Sequence, residues 1–596
     1  ERETSRFRVD VTVADQDEVI FYLTYEELLE RRLGTYSHRI NVHPGYPVRD
    51  LIVDVTIHET REFSSLNVTS VPGGQKFGNA VSEWREGSRT ARLQFDPDPE
   101  AMPRNGVIHG QLVVQYDVKR ALDAGDVQVE DGYFVHFFAP IDLQYTPKHI
   151  TFLIDVSGSM SGTKLTQVKT AMDHILTNLN NGDTFNIIRF STTAHKLGIM
   201  RYSPVTVRRA KQYIESLEAG GGTNIDDGLK VAIEEDVEAI VSESVRPHII
   251  VLLTDGSPTS GVTSHSVILK NVRNRNRDRA TVFCLGFGRG ADMDFLARLA
   301  LQNHGTSRKI YEDEDAAEQL TGFYRELSTP LLLDIQFSYS GDAVMVDTLS
   351  KTHFYNYFEG TELIVTGQTE NELDARVRAN ITGKGRNGQF FMGVTDWNLV
   401  SPPDHHLLSH LHLAPTPPNF IKRLWAFLKV KDLLAEEKAA RGPHDRMVAQ
   451  KKALIIALEN HFVTPLTSLV VVQPDQEHCK DYEDDEDGED GETRDEVSSS
   501  GQRTQKGPMQ RDDNNHSQSL DSQNSVSHAF NPASIHVLSG DEVMDSNHFI
   551  HNMAAPYPIS LSAAPTTGII GCPVMVLLTT LLLTIVTKMQ VHIAIK

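Results

Sequence analysis

The chain has 596 residues, and 57 Lys and Arg against 80 Asp and Glu leave a formal charge of −23. That length suggests about three or four domains at roughly 150 residues each, and 39% hydrophobic residues allow each a core. The acidity excludes nucleic acid as a partner, because polyanion binding rests on Lys and Arg neutralising phosphates; three cysteines (Cys284, Cys479, Cys572) make neither a disulfide scaffold nor a zinc module.

Residues 1–145 read as β-rich. Arg6–Val13, Val19–Leu23, Leu51–Ile57 and Gly110–Tyr116 alternate apolar and polar, and one amphipathic helix is expected over Thr24–Leu33, stopped by Gly34. No leader precedes them, so a signal peptide is expected to lie upstream of Glu1. Residues 146–329 alternate short apolar runs with helical stripes, which predicts an α/β, doubly wound parallel sheet. Strand-like alternation returns over 330–417. Residues 418–472 are helical, broken at Gly442-Pro443, and end in a strand over Thr467–Val472. The stretch 473–567 is acidic and polar, with eleven acidic residues between Asp481 and Glu496, and is expected to be a disordered linker. Residues 568–587 carry no charge and predict a transmembrane helix or, after the small residues Ser560, Ser562, Ala563 and Ala564, a lipid-anchor signal. Either places the rest of the chain outside the cell.

Single residues add less. Asn67, Asn380 and Asn515 open glycosylation sequons. Trp84, Trp397 and Trp425 are expected as core anchors, Phe420, Leu424, Trp425 and Leu428 as a packing stripe, and Cys284 as a buried thiol. The 25 histidines are scattered and show no metal-ligand spacing.

The chemistry concentrates in the middle segment. His149–Ile154 reads as a buried strand running into Asp155-Val-Ser157-Gly-Ser159, and a helical stripe follows. Gly220-Gly-Gly-Thr223-Asn224 opens another helix, and the apolar run His248–Leu253 ends in Thr254-Asp255-Gly256. Each cluster sits at a strand–helix corner, where open parallel sheets bind ligands. Two carboxylates (Asp155, Asp255) and three hydroxyls (Ser157, Ser159, Thr223) supply only hard oxygen donors, which select Mg²⁺, with Mn²⁺ or Ca²⁺ as substitutes. Two negative charges barely balance a dication, so a carboxylate from a protein partner could complete the shell. No Gly-Lys-Ser/Thr follows the glycines, which excludes a phosphate loop, and Met160 rather than Ser stands where a nucleophile elbow would need it. No His or Glu base lies in the three corners, so no enzyme is expected.

Phe152–Met160, Gly221–Asn224 and Leu252–Gly256 resemble a von Willebrand factor type A domain with its metal-ion-dependent adhesion site. Phe21–Gly34, Gln115–Val118 and Tyr133–Pro140 resemble part of the β-rich vault/inter-alpha-trypsin (VIT) domain; Cys284–Gly288, Ile310–Asp313 and Phe462–Thr467 extend the likeness. Over roughly 6–472 the chain is similar to inter-alpha-trypsin inhibitor heavy chains, its first domain beginning part-way through. The resemblance implies secretion, matrix stabilisation with hyaluronan, association with a chondroitin-linked Kunitz-type inhibitor, and metal ligation by Asp155, Ser157, Ser159, Thr223 and Asp255. It does not extend to the Asp-Pro-His-Phe motif through which heavy chains attach to glycan, which this sequence lacks. An alternative is a membrane-anchored auxiliary subunit of the voltage-gated calcium channel type.

Overall fold

The computed structural model describes residues 25–43, 51–98, 108–235, 246–312, 315–340, 344–370, 377–394 and 419–472, and short strands at 534–538, 576–579, 581–583 and 588–595. The first seven strands are β1 (Tyr25–Glu27), β2 (Tyr36–Val42), β3 (Leu51–His58), β4 (Phe63–Ser70), β5 (Val81–Glu86), β6 (Thr90–Phe95) and β7 (Gly110–Val118). One sheet has the order β2-β7-β4, and a second carries β3-β6-β5. Side chains alternate across a strand, so Val53, Val55 and Ile57 of β3 meet Leu112, Val114 and Tyr116 of β7 in one core.

Two expectations fail here. Thr24–Leu33 does not form a helix: β1 occupies its start, and Leu33 and Gly34, both at positive φ, turn the chain straight into β2. Long-range charges override the local helical pattern. Arg31 binds Asp117 at 2.8 Å and Glu30 binds Lys431 at 2.8 Å. Burial alone would raise the Glu30 carboxyl, but Lys431 and Arg32 outweigh it and hold its pKa down to about 2. Trp84, expected in the core, is 49% exposed on the outermost strand β5, with the Arg92 guanidinium 5.8 Å from its ring centre.

Strands β8 (Asp126–Glu130) and β9 (Tyr133–Phe138) lead into the central domain. It comprises β10 (His149–Asp155), α1 (Thr163–Thr177), β11 (Thr184–Phe190), β12 (Ala194–Lys196), β13 (Met200–Arg201), α2 (Pro204–Glu215), α3 (Ile225–Ile233), β14 (His248–Thr254), α4 (His265–Asn276), β15 (Ala280–Phe287), α5 (Met293–Leu301), β16 (Ser307–Ile310) and α6 (Ala316–Leu327). The sheet order is β12-β11-β10-β14-β15-β16, parallel except for the short edge strands β12 and β13. Helices α1, α2 and α6 cover one face and α3, α4 and α5 the other. Because both faces are covered, the strands are continuous apolar runs. The order reverses between β10 and β14, which creates a ligand-binding crevice at their carboxyl ends.

After the central domain come β17 (Pro330–Ser340), β18 (Val344–Met345), β19 (His353–Phe358), β20 (Leu363–Thr369), β21 (Arg378–Gly385) and β22 (Gly388–Gly393). They form a β19-β17-β21-β22 sheet facing a β18-β20-β9-β8 sheet. Strands from both sides of the central domain therefore build one sandwich, and the expected division at residue 145 runs through it. The central domain is an insertion between β9 and β17.

His136 of β9 sits inside this sandwich, with Nε2 2.6 Å from the Ala124 carbonyl and Nδ1 2.9 Å from the Tyr339 hydroxyl. The neutral ring satisfies both contacts, donating from Nε2 and accepting at Nδ1. Burial pushes its pKa down to about 4, against the Ala124 hydrogen bond and the Asp126 charge. An unfolded histidine titrates near 6.5. Between that value and about 4 the unfolded chain takes up a proton that the native chain refuses. Stability should therefore fall by about 1.4 kcal/mol per pH unit on acidification through that window, and the loss should level off below it. Comparing denaturant midpoints of the chain and of His136→Gln across this range checks the slope, which the substitution should reduce.

Helices α7 (Phe420–Ala439) and α8 (Pro443–Glu459) break at Gly442-Pro443 as expected. Phe420, Leu424 and Leu428 bury against Val135 and Phe137 of β9, and Trp425 is half-buried, its Nε1 donating to the Thr348 carbonyl at 2.9 Å. The stripe is thus used within the chain itself. Strand β23 (Ser468–Val472) pairs antiparallel with β24 (Ser534–Leu538), which lies inside the stretch expected to be unstructured; most of 473–567 is outside the described residues. Of the apolar run 568–587, the described residues are extended, as β25 (Val576–Thr579) and β26 (Leu581–Leu583), where a transmembrane helix was one expectation; the rest of the run lies outside the described residues, and β27 (Lys588–Ile595) follows it. Strand β27 pairs along all of β3, and β26 pairs with β1. Val591, Ile593 and Ile595 of β27 favour a strand, and the β3 edge offers unpaired backbone groups for it to satisfy. No helix among the described residues is long and apolar enough to cross a membrane.

Candidate metal centre

Strand β10 delivers Asp155 to the carboxyl edge of the sheet, fully buried, and the chain turns at once into the Ser157–Ser159 corner. Asp155 Oδ1 accepts from the Ser157 backbone N–H at 2.8 Å, and Oδ2 accepts from the Thr254 hydroxyl at 2.6 Å. The neighbouring strand β14 supplies Thr254 and then Asp255. Ser159 Oγ donates to Asp255 Oδ1 at 2.7 Å and lies 3.1 Å from Ser157 Oγ. Four of the five expected residues thus form one continuous polar cluster. Thr223 reaches the same edge through its loop: the Gly158 N–H donates to the Gly221 carbonyl at 3.0 Å, and the Thr223 carbonyl accepts from Thr259 and Ser260. Gly221 permits this, because its φ of 84° favours glycine and a Cβ there would lie 2.9 Å from Thr192 Oγ1. Asn224 then caps α3, its side chain accepting from the Asp227 N–H.

The charge balance fits a cation. Asp155, Ser157, Thr223 and Asp255 are all buried, while Ser159 faces solvent and leaves the cluster approachable. Burial raises the Asp155 carboxyl to about 6 against hydrogen bonds from Thr254 and Ser157, and the Asp255 charge pushes it the same way. Two carboxylates side by side in a buried corner are electrostatically frustrated, and a hard dication relieves that frustration. Lys164 of α1 neutralises part of it, binding Asp255 Oδ2 at 2.8 Å and lying 3.5 Å from Glu312. The spacing of motifs gave no role to Thr254 or Lys164. Thr254 stands beside Asp255 in the sequence, and a hydroxyl at the end of an otherwise apolar strand is the signal that could have marked it.

The von Willebrand factor type A domain family matches residues 148–309. Human inter-alpha-trypsin inhibitor heavy chain H4 is 35% identical over 492 residues, covering 80% of this chain and 51% of its own; human heavy chain H6 is 37% identical over 496 residues, with 80% and 38% covered. The chain belongs to the inter-alpha-trypsin inhibitor heavy chain family. This heavy chain spans about half the length of the curated relatives it matches. Among solved structures, a von Willebrand factor type A protein from Catenulispora acidiphila covers 57% of it and 85% of its own chain at 16% identity, with a TM-score of 0.40. Proximal thread matrix protein 1 from the mussel byssus, with a zinc-occupied adhesion motif, covers 30% and 46% at 22% identity and a TM-score of 0.26.

The remaining predicted sites of this heavy chain lie apart from the centre. Asn67 on β4 and Asn380 on β21 are exposed, and Asn515 is outside the described residues, as is Trp397. Cys284 is buried in β15 among apolar neighbours, which raises its thiol pKa and suits an inert core residue.

Proposed function

We propose that this heavy chain is an extracellular matrix and adhesion protein that captures a protein carboxylate through a Mg²⁺ held by Asp155, Ser157, Ser159, Thr223 and Asp255. The convergence of Asp155, Ser157, Ser159 and Asp255 in one hydrogen-bonded cluster at the sheet's switch point supports this reading best. Asp155 and Asp255 balance the charge of a bound dication, and Lys164 offsets Glu312 beside it. An incoming Glu or Asp can then supply an oxygen to the ion at the coordination position that the protein leaves open. Ser159, exposed at the rim, lies on the approach route. Mn²⁺ or Ca²⁺ substitutes by the same oxygen chemistry. The role is binding, not catalysis: the hydroxyls serve as ligands, and among the described residues the hydrogen-bonded cluster of Asp155, Ser157, Ser159, Thr254 and Asp255 includes no His or Glu. Secretion, glycosylation at Asn67 and Asn380, and association with hyaluronan and an inhibitor subunit are the family roles that accompany this reading.

The test is retention of the intact chain on a reconstituted extracellular-matrix surface. Binding should be strong in Mg²⁺, vanish on chelation, and vanish equally when the surface carboxylates have been converted to amides. Persistence of binding after either treatment would falsify the mechanism.

A further inference from the structure

A second polar cluster lies at the opposite edge of the central sheet. His149 opens β10 and His248 opens β14, and the parallel register sets them directly side by side, with ring centres 4.8 Å apart. Thr151 stands two residues along β10 on the same face. Glu235, just beyond the end of α3, reaches down onto them. Its Oε2 lies 3.1 Å from His149 Nε2 and 3.9 Å from His248 Nε2, and it accepts from Thr151 Oγ1 at 2.5 Å. Thr151 Oγ1 is itself 3.2 Å and 3.3 Å from the two imidazole nitrogens. Four polar atoms therefore point at one small volume beneath α3. The His149 and Glu235 side chains are 0% and 1% exposed, and that of His248 10%.

The surroundings hold these groups in place. His149 Nδ1 meets Thr184 Oγ1 at 2.9 Å, which directs Nε2 toward the cluster. Asn186 donates to the second Glu235 oxygen while its own Oδ1 accepts from the Ile187 and Gly198 N–H groups, so its orientation is fixed. Ligating imidazoles and carboxylates are characteristically fixed in this way by outer partners. Elsewhere the α3 face of the sheet is apolar, with Leu153, Ile188, Ile250 and Leu252. The Thr184 hydroxyl can accept from or donate to Nδ1, so the 3.1 Å gap between His149 Nε2 and the Glu235 carboxylate holds either a proton or a metal cation.

We infer that His149, His248 and Glu235 form a binding site for a borderline divalent metal, of which Zn²⁺ is the natural occupant. Two imidazoles and one carboxylate are a donor set that zinc accepts, with a fourth position left for the Thr151 hydroxyl or a water. Tetrahedral zinc with bonds of about 2.0–2.1 Å separates its ligand atoms by roughly 3.3 Å, and the observed 3.1 and 3.9 Å bracket that figure. This site differs from the Asp155 centre in chemistry and in place. The six residues from His149 to Asp155 put about 20 Å between them.

The test uses Zn²⁺ alone on the intact chain carrying Asp155→Ala, which silences the oxygen-only centre. One zinc should remain with each chain after gel filtration, and adding His248→Asn should lower its affinity by more than about 100-fold. Because the second variant could fail to fold, Co²⁺ is added to the unmutated chain as an independent measure. Intense tetrahedral d–d bands displaced by Zn²⁺ support the site. Failure of the Asp155→Ala chain to retain zinc, or only weak octahedral cobalt bands, overturns the proposal and leaves His149 and Glu235 as a buried hydrogen-bonded pair.

Discussion

Lys148→Met should destabilise the central domain by about 3–5 kcal/mol, the cost of leaving a buried charge without its partner. Lys148 and Asp183 are both 0% exposed, and Lys148 Nζ lies 2.6 Å from Asp183 Oδ2. Burial lowers the Lys148 pKa, and Asp183 opposes that shift. Asp183 also accepts from the Lys148 N–H at 3.1 Å, the Asn180 N–H at 3.0 Å and the Tyr145 hydroxyl. The ammonium has a second partner, the Ser328 carbonyl at 2.6 Å, at the end of α6 just before the strand that leaves the inserted domain. The pair thus ties the inbound and outbound chains together, beside the Thr146 N–H that donates to the Pro330 carbonyl. Removing the ammonium strands a carboxylate among neutral donors. Asp183→Asn in the same background should recover part of the loss, because it deletes the uncompensated charge yet keeps an acceptor. Native-state hydrogen exchange of the β10 and β11 amides reads the effect locally; an unchanged exchange rate in Lys148→Met would show that water or another cation already compensates Asp183.

How much of this was legible in the sequence depended on how local the cause was. Buried parallel strands need continuous apolar runs, so β10, β14 and β15 could be read directly, and the corners after them followed from strand–helix alternation. Asp155, Ser157, Ser159 and Asp255 were readable because each lies within a few residues of such a corner. Trp84 was not, because its exposure depends on β5 being outermost, a fact of sheet order. The helical pattern over Thr24–Leu33 lost to Asp117 and Lys431, charges distant in sequence. The tail misled by its length: twenty uncharged residues fit a bilayer, but the described parts of that run are short strands, β26 pairing with β1, and the segment after it, β27, pairs along β3. His149, Glu235 and His248 carry no spacing signal at all. Their meeting follows from the β10–β14 register together with the length of α3, neither of which a histidine count contains.

Asp155→Ala should abolish Mg²⁺ binding and with it all metal-dependent adhesion, while leaving the domain folded. The carboxylate is one of only two anionic donors in the cluster, so its loss should exceed the roughly 10–100-fold penalty that follows removal of an outer-shell partner. Thr254→Val supplies that milder case. It deletes the 2.6 Å hydrogen bond to Asp155 Oδ2 without touching a ligand, and should weaken Mg²⁺ by about 10–100-fold. The fold should tolerate both changes, because the core of the sheet rests on Phe152, Ile154, Val251 and Leu253 rather than on the corner. Calorimetric titration of Mg²⁺ into the three proteins gives the ranking, and melting curves in chelator separate lost binding from lost structure. Equal Mg²⁺ affinity in Asp155→Ala and the unaltered chain would remove Asp155 from the coordination shell and, with it, the carboxylate-capture mechanism.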